Sequence, residues 1–332
     1  MLLAQIWFGL LAFILFLAVA LDGADLGVGI LSLFCRDEAR RSVLIGSIGP
    51  VWHANLTWLV VLGGVLFAAF PLAYGLILSS LYIPILAMLF GLIFRGVSIE
   101  FREQARRKMF WNFSFGAGSL LATLAQGFAL GGYLNGLPVQ GDHFAGSVFD
   151  WLHPFAALIA LGLTCGYMLL GAAYLVFKTE GELQEASRGQ ARKAAWWLAM
   201  LAVGIGLWGG LMDPFLSRRW FSWPGLWVTS FPMVLAAATF VALQVSLRRR
   251  RDFLPLILSA VCLALMYLAM AASIFPYIVP PGISVDQAAA GPLTLIMMLI
   301  VVGVILLPVM IAYNLYQYAV FRGKVGEGGY GG

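Results

Sequence analysis

The chain has 332 residues, 62% of them hydrophobic and only 11% charged, with a formal net charge of +5; its mean hydropathy is +0.93. A soluble domain carries about a quarter charged residues, so this chain lacks the polar surface to face water on all sides. Soluble classes are excluded, and the chain reads as an integral membrane protein.

A membrane-crossing helix needs about 20 apolar residues, and nine such stretches follow one another at about 5–26, 48–70, 72–94, 112–135, 152–177, 194–212, 226–246, 254–277 and 291–316. The apolar run 3–34 is too short for two crossings and reads as one long helix, in which Gly23, Gly27 and Gly29 permit close packing or a bend. It does not read as a cleavable signal, because it is long and its first cation is Arg36. The second and third spans are separated by little more than "FPLAYG", which predicts a tight hairpin at Pro71. The connections 35–43, 95–111, 178–193 and 247–253, with the C-terminal tail, hold 18 of the 20 Lys and Arg; Arg218 and Arg219 alone fall on the other side. By the positive-inside rule the N-terminus is outside and the C-terminus cytoplasmic.

The same bias accounts for the basic charge without nucleic acid. "RRRR" at 248–251 sits between two spans with no interleaved aromatics, as a topology anchor beside anionic lipid does. "GADLGVG" lies inside a membrane helix rather than after a strand, so it is no nucleotide fingerprint. Cys35, Cys165 and Cys262 have no pairing or zinc-like spacing. Residues 1–332 read as a single polytopic membrane domain with a flexible Gly-rich tail at 323–332.

Within "AVALDGADLGVGIL", residues 17–30, Asp22 and Asp25 interrupt an apolar run, and residues 1–35 contain no Lys, Arg or His. A carboxylate near mid-membrane costs about 2.5–3.5 kcal/mol on insertion scales. At i,i+3 the two acids share a helix face, in the cytoplasmic half. The second span enters through "GPVWHANLTWL", which puts His53 and Asn55 at similar depth. Two acids, an imidazole and an amide suit a proton relay, with Glu100 and Arg102 at its cytoplasmic mouth. The competing readings are plain: the acids cap or hydrogen-bond helices at the interface, and His53 packs. His143 and His153 lie near the outer surface with no carboxylates or cysteines at metal-ligand spacing, so no metal site is expected. The residues alone describe a polytopic protein with a candidate proton path, and leave a proton-coupled secondary transporter and a purely structural assembly subunit open.

"LDGADLGVGIL" resembles the first-helix motif of subunit II of cytochrome bd-type quinol oxidases. The likeness continues in order through "GPVWHANLTWLV", "LFAAFPLAYGLILSSLYIPI", "LIFRGVSIEFR", "KTEGELQ", "SIFPYIVPPGIS" and "FRGKV"; the last few, with the short 332-residue length, are most similar to the cyanide-insensitive branch. The resemblance implies an all-α fold of nine transmembrane helices, arranged as two four-helix bundles plus one peripheral helix, in the bacterial inner membrane. It implies a complex that reduces O2 to water with electrons from ubiquinol. The b- and d-type haems would belong to a partner, subunit I, and this chain would be a haem-free companion without catalytic or metal-binding residues of its own. A small accessory subunit and a structural quinone or lipid are compatible with it. The candidate proton path runs through Asp22, Asp25, His53, Asn55 and Glu100. At His53 the family usually has an acid; a neutral imidazole both accepts and donates a proton, whereas a protonated one would pair with Asp22 or Asp25.

Overall fold

Nearly every backbone polar group that must cross a lipid core has to be satisfied within its own segment, which leaves helices as the economical solution for this composition. The computed structural model, which describes residues 2–325, bears this out. In chain order the elements are α1 (Leu2–Ser32), α2 (Glu38–Ile48), α3 (Trp52–Ala69), α4 (Pro71–Ser80), α5 (Tyr82–Gln104) and α6 (Met109–Leu134). A short hairpin, β1 (Val139–Gln140) and β2 (His143–Phe144), leads to α7 (Pro154–Lys178), α8 (Gly181–Leu211), α9 (Pro214–Trp220), α10 (Gly225–Arg248) and α11 (Leu254–Ile274). A second hairpin, β3 (Tyr277–Val279) and β4 (Ile283–Ser284), precedes α12 (Val285–Ala288) and α13 (Pro292–Met298). A π-helical stretch, Leu299–Leu306, joins α13 to α14 (Leu307–Val320). Among the described residues nine helices are long and apolar enough to cross a membrane: α1, α3, α5, α6, α7, α8, α10, α11 and the continuous α13–α14 segment. The tail expected to be flexible lies, from residue 326, outside the described residues.

The spans group as expected. Helices α1, α3, α5 and α6 form one four-helix set and α7, α8, α10 and α11 a second, joined where α7 packs on α1 and α6; α13–α14 is peripheral against α1 and α3. The joint is tight because glycines meet there. A Cβ on Gly27 would lie 1.8 Å from the Tyr167 carbonyl oxygen, and one on Gly171 would lie 2.5 Å from the Gly27 backbone. Small residues let membrane helices approach at this distance, where dispersion replaces the missing hydrophobic drive. The peripheral span is pinned by the buried Trp7, whose indole N–H donates to the Leu295 carbonyl at 3.0 Å.

One sequence expectation is corrected. Pro71 does not make a tight hairpin, and the third span is α5, over Tyr82–Gln104, rather than about 72–94. Pro71 starts a helix instead: it occupies the first turn of α4, where its missing N–H costs nothing. The breaks on either side, at Phe70 and Leu81, are single apolar residues with non-helical backbone. Hydropathy therefore runs unbroken through both. Helix α4 lies beside β2, β3 and α12, and the Ala290 N–H donates to the Ala69 carbonyl at 2.8 Å, closing this end of the molecule.

The opposite end, where the cations gather, is laced by ion pairs. Glu38 accepts from Arg41 Nη1 at 2.7 Å, Arg102 Nη2 at 2.7 Å and Asn112 Nδ2 at 2.8 Å, and Arg102 Nε donates to Asn112 Oδ1 at 2.6 Å. Burial pushes the Glu38 carboxyl up, but the hydrogen bonds and charges of Arg41 and Arg102 outweigh it and hold the group below its ordinary value of 4.5. A carboxylate depressed in the folded state contributes stability above its unfolded value and loses it as pH falls through the folded one. The thermal midpoint of the detergent-solubilised protein is therefore expected to drop as pH falls below 4.5, and Glu38→Gln to flatten that slope. An unchanged slope in the variant would remove Glu38 from the acid response.

Candidate functional site

The two acids on α1 face inward, each against its own partner. Asp22 Oδ1 accepts from Arg95 Nη1 at 2.6 Å, and both side chains are essentially sealed, Arg95 at 0% exposure. Arg95 stands on α5, and its guanidinium lies 5.9 Å from the Trp52 ring centroid. That ring also covers Gly96, where a Cβ would approach it to 3.3 Å, so α3 and α5 clamp the guanidinium in place. Asp22 Oδ2 and Arg95 Nε and Nη2 have no hydrogen-bond partner among the described residues. Buried polar atoms of this kind are ordinarily satisfied by internal water.

Asp25 is served by neutral groups. Asn55 Nδ2, fully buried on α3, donates to Asp25 Oδ2 at 2.9 Å and to the Tyr318 hydroxyl at 3.0 Å; Tyr318 donates back to Asn55 Oδ1 at 3.2 Å. One turn away, Trp58 Nε1 donates to Asn314 Oδ1 at 2.5 Å. The peripheral helix α14 is thus held against α3 by two polar contacts, Asn55–Tyr318 and Trp58–Asn314. Two carboxylates and one guanidinium sum to one negative charge, which a single proton cancels. That charge balance is what the cluster can do chemically: hold one proton, or one unit of charge, without breaking the Arg95 pair.

Beside Asp22 the Tyr167 ring lies on Gly23, and the Tyr167 hydroxyl donates to Gln126 Oε1 at 2.7 Å, extending the polar set along α6 and α7. The other two candidates are elsewhere. His53 is exposed, its ring tilted against that of Trp52 with centroids 3.6 Å apart. Asn55 follows it by two residues and faces the interior, because a step of two in an α-helix turns about 200°. Glu100 is also exposed, one turn beyond Gly96 on α5. Asp22, Asp25 and Asn55 therefore come together, and His53 and Glu100 do not join them. Arg95, Tyr318, Asn314 and Trp58 were not anticipated. Hydropathy counts Arg95 with the loop after the third span; the break at Leu81, which starts α5 at Tyr82, puts it inside.

The architecture is that of a polytopic helical membrane protein with a charged cluster sealed between its first, second and third spans. The family model of cytochrome bd terminal oxidase subunit II matches residues 3–321. The chain is 28% identical to cytochrome bd-I ubiquinol oxidase subunit 2 of Escherichia coli (strain K12), over 96% of this chain and 94% of that one. It is 28% identical to cytochrome bd ubiquinol oxidase subunit 2 of Bacillus subtilis (strain 168), over 97% of each. Its fold matches a chain in the structure of the bd oxidase from Geobacillus thermodenitrificans with a TM-score of 0.80 at 18% identity, covering 97% of this chain and 99% of that chain. The chain belongs to the cytochrome bd terminal oxidase subunit II family. It is thus a multi-pass membrane subunit of a respiratory quinol oxidase, a complex whose family contains haem.

Proposed function

We propose that this chain is the haem-free subunit II of a cytochrome bd-type ubiquinol:O2 oxidoreductase, seated against a haem-bearing subunit I in the bacterial inner membrane. Residues 1–332 act as one polytopic unit, with the N-terminus outside and the C-terminus in the cytoplasm. The positive-inside bias supports that orientation. A small accessory subunit and a structural quinone or lipid are compatible with the arrangement.

The observation that carries the reading is the two-sidedness of α3. Its inner face supplies Asn55 and Trp58 to the sealed cluster. Its outer face presents His53, Thr57, Val60, Gly64 and Phe67, all exposed at the spacing of a helix–helix seam. A polar and glycine-bearing seam suits another protein helix better than lipid. Haem needs imidazole, thiolate or thioether ligands. His53 and His143 are exposed, His153 caps α7 by accepting from the Ala156 N–H, no methionine is buried among the described residues, and the buried Cys262 has its Sγ 3.8 Å from the Ala236 carbonyl of the neighbouring helix α10. These residues do not fit a haem held among these helices, which supports assigning the haems to the partner.

In this reading Asp22, Asp25 and Asn55 form the interior part of a cytoplasmic proton path. His53, beside Trp52, and Glu100 are its exposed groups, facing the partner. The chain's own chemistry is limited to holding and passing protons and to supporting subunit I. A purely structural role is the second reading, favoured by the closed Asp22–Arg95 pair; family membership replaces the transporter reading.

The test is a tagged purification in mild detergent, followed by a dithionite-reduced minus oxidised spectrum and quinol-dependent O2 uptake. A larger haem-bearing chain in equal amount is expected. Asp25→Asn and His53→Leu are each expected to slow turnover by about a hundredfold, the lower end of what a positioned proton-transfer group contributes, with haem content unchanged. Full turnover in both variants would sink the relay. Loss of the haem-bearing chain would favour the structural role, and a folded, haem-free, partner-free preparation would overturn the whole reading.

A further inference from the structure

At the basic end the acids beside α8 and α10 are already engaged. Asp252 accepts from Arg188 Nη2 at 2.5 Å and from Lys324 Nζ at 3.0 Å. Glu185 pairs with Arg188 at 3.3 Å and with Arg250 at 3.8 Å. Arg192 and Lys193 on α8 and Arg248 on α10 are exposed and have no carboxylate partner among the described residues.

Helix periodicity sets these three cations around one groove between α8 and α10. Its floor is Trp196 on α8 against Phe240 on α10, rings edge to face with centroids 4.9 Å apart, and Trp196 remains 60% exposed. The helices run antiparallel there. Toward the basic end, Arg192 stands one turn from Trp196 and Arg248 two turns from Phe240, at about 5.4 Å per turn. Residues four apart share a helix face, so Phe240, Gln244 and Arg248 line the same side of α10. Gln244 is 8% exposed, and its Nε2 has no acceptor among the described residues. A buried amide donor without an acceptor is costly, and native structures rarely keep one.

The groove thus presents cations without an anion, a buried donor without an acceptor, and an aromatic floor without apolar cover. We propose that it binds one anionic phospholipid: the phosphate against Arg192, Lys193 and Arg248, an ester or glycerol oxygen on Gln244, and an acyl chain along Trp196 and Phe240. General attraction of basic loops to anionic lipid accounts for the cations; it does not account for the orphaned amide beneath them.

The test uses the full chain purified from membranes with whatever accompanies it, stripped of lipid and titrated with dioleoyl phosphatidylglycerol or dioleoyl phosphatidylethanolamine, with bound copies counted by native mass spectrometry. One phosphatidylglycerol is expected to bind about tenfold more tightly than phosphatidylethanolamine, as a few charge contacts supply. Arg192→Gln with Lys193→Gln and Arg248→Gln is expected to abolish that preference. Gln244→Leu is expected to weaken the first copy severalfold. Arg106→Gln with Arg107→Gln and Lys108→Gln, which removes equal charge elsewhere at the same end, is expected to leave it intact. Equal binding of the two lipids, equal losses in both charge variants, or a quinone or small polypeptide found in the groove would overturn the proposal. Should the first triple variant fail to assemble, Gln244→Leu and the two-lipid comparison decide. Lipid counting depends on neither haem nor O2 reduction, so it stands or falls apart from the oxidase reading.

Discussion

Arg95→Leu is expected to destabilise the folded protein by about 3–5 kcal/mol, the usual result of removing one partner from a buried ion pair. The change strands the Asp22 carboxylate in a site where Arg95 is its hydrogen-bond donor and where its second oxygen already lacks one. It also withdraws the guanidinium over which Trp52 packs, loosening the joint between α3 and α5. Unfolding in detergent, followed by tryptophan fluorescence, measures the loss. The informative comparison is Arg95→Leu combined with Asp22→Leu. Replacing both members of a buried pair by apolar groups is often neutral, so the double variant is expected to recover most of the stability. If the single variant is as stable as wild type, the pair does not hold these spans together.

Gly27→Val is expected to cost more than about 3 kcal/mol, beyond the ordinary range for overpacking, and to leave little folded protein in the membrane. The obstruction is backbone against backbone. A Cβ at residue 27 meets the Tyr167 carbonyl oxygen at 1.8 Å and its carbon at 2.6 Å, and no side-chain rotation relieves that contact. Helices α1 and α7 would have to separate along the joint between the two helical sets, dragging Asp22 and Asp25 with α1. Gly9→Val, on the same helix with nothing within 4 Å of its Cβ, is the matched control and is expected to be near neutral. Membrane yield and thermal stability of the pair give the answer; similar values would mean that the joint yields.

Composition and periodicity carried most of the architecture. Nine apolar stretches, a one-sided distribution of Lys and Arg and a long first helix with three glycines are properties of the chain, because lipid demands helices of a set length and excludes free charge. The polar cluster was partly legible for the same reason. Asp22, Asp25 and Asn55 stand out against apolar neighbours, and their depth follows from counting residues along a span. Rotation about the helix axis does not. His53 and Asn55 are two residues apart at nearly equal depth, and only the packing of α3 on α1 turns one inward and the other out.

Two further matters belonged to tertiary structure alone. Hydropathy runs without a gap across Phe70 and Leu81, so it places the third span about ten residues early and leaves Arg95 in a loop. The fold breaks the helix at those positions because α4 has a partner surface in the second hairpin, α12 and the edge of the first, a long-range contact that no local pattern encodes. Tyr318 and Asn314 likewise look like ordinary members of a final apolar span. They become part of the site because α14 returns to α3 from the far end of the chain, and hydrogen bonds across more than 250 residues are decided by where helices pack, not by what stands next to what.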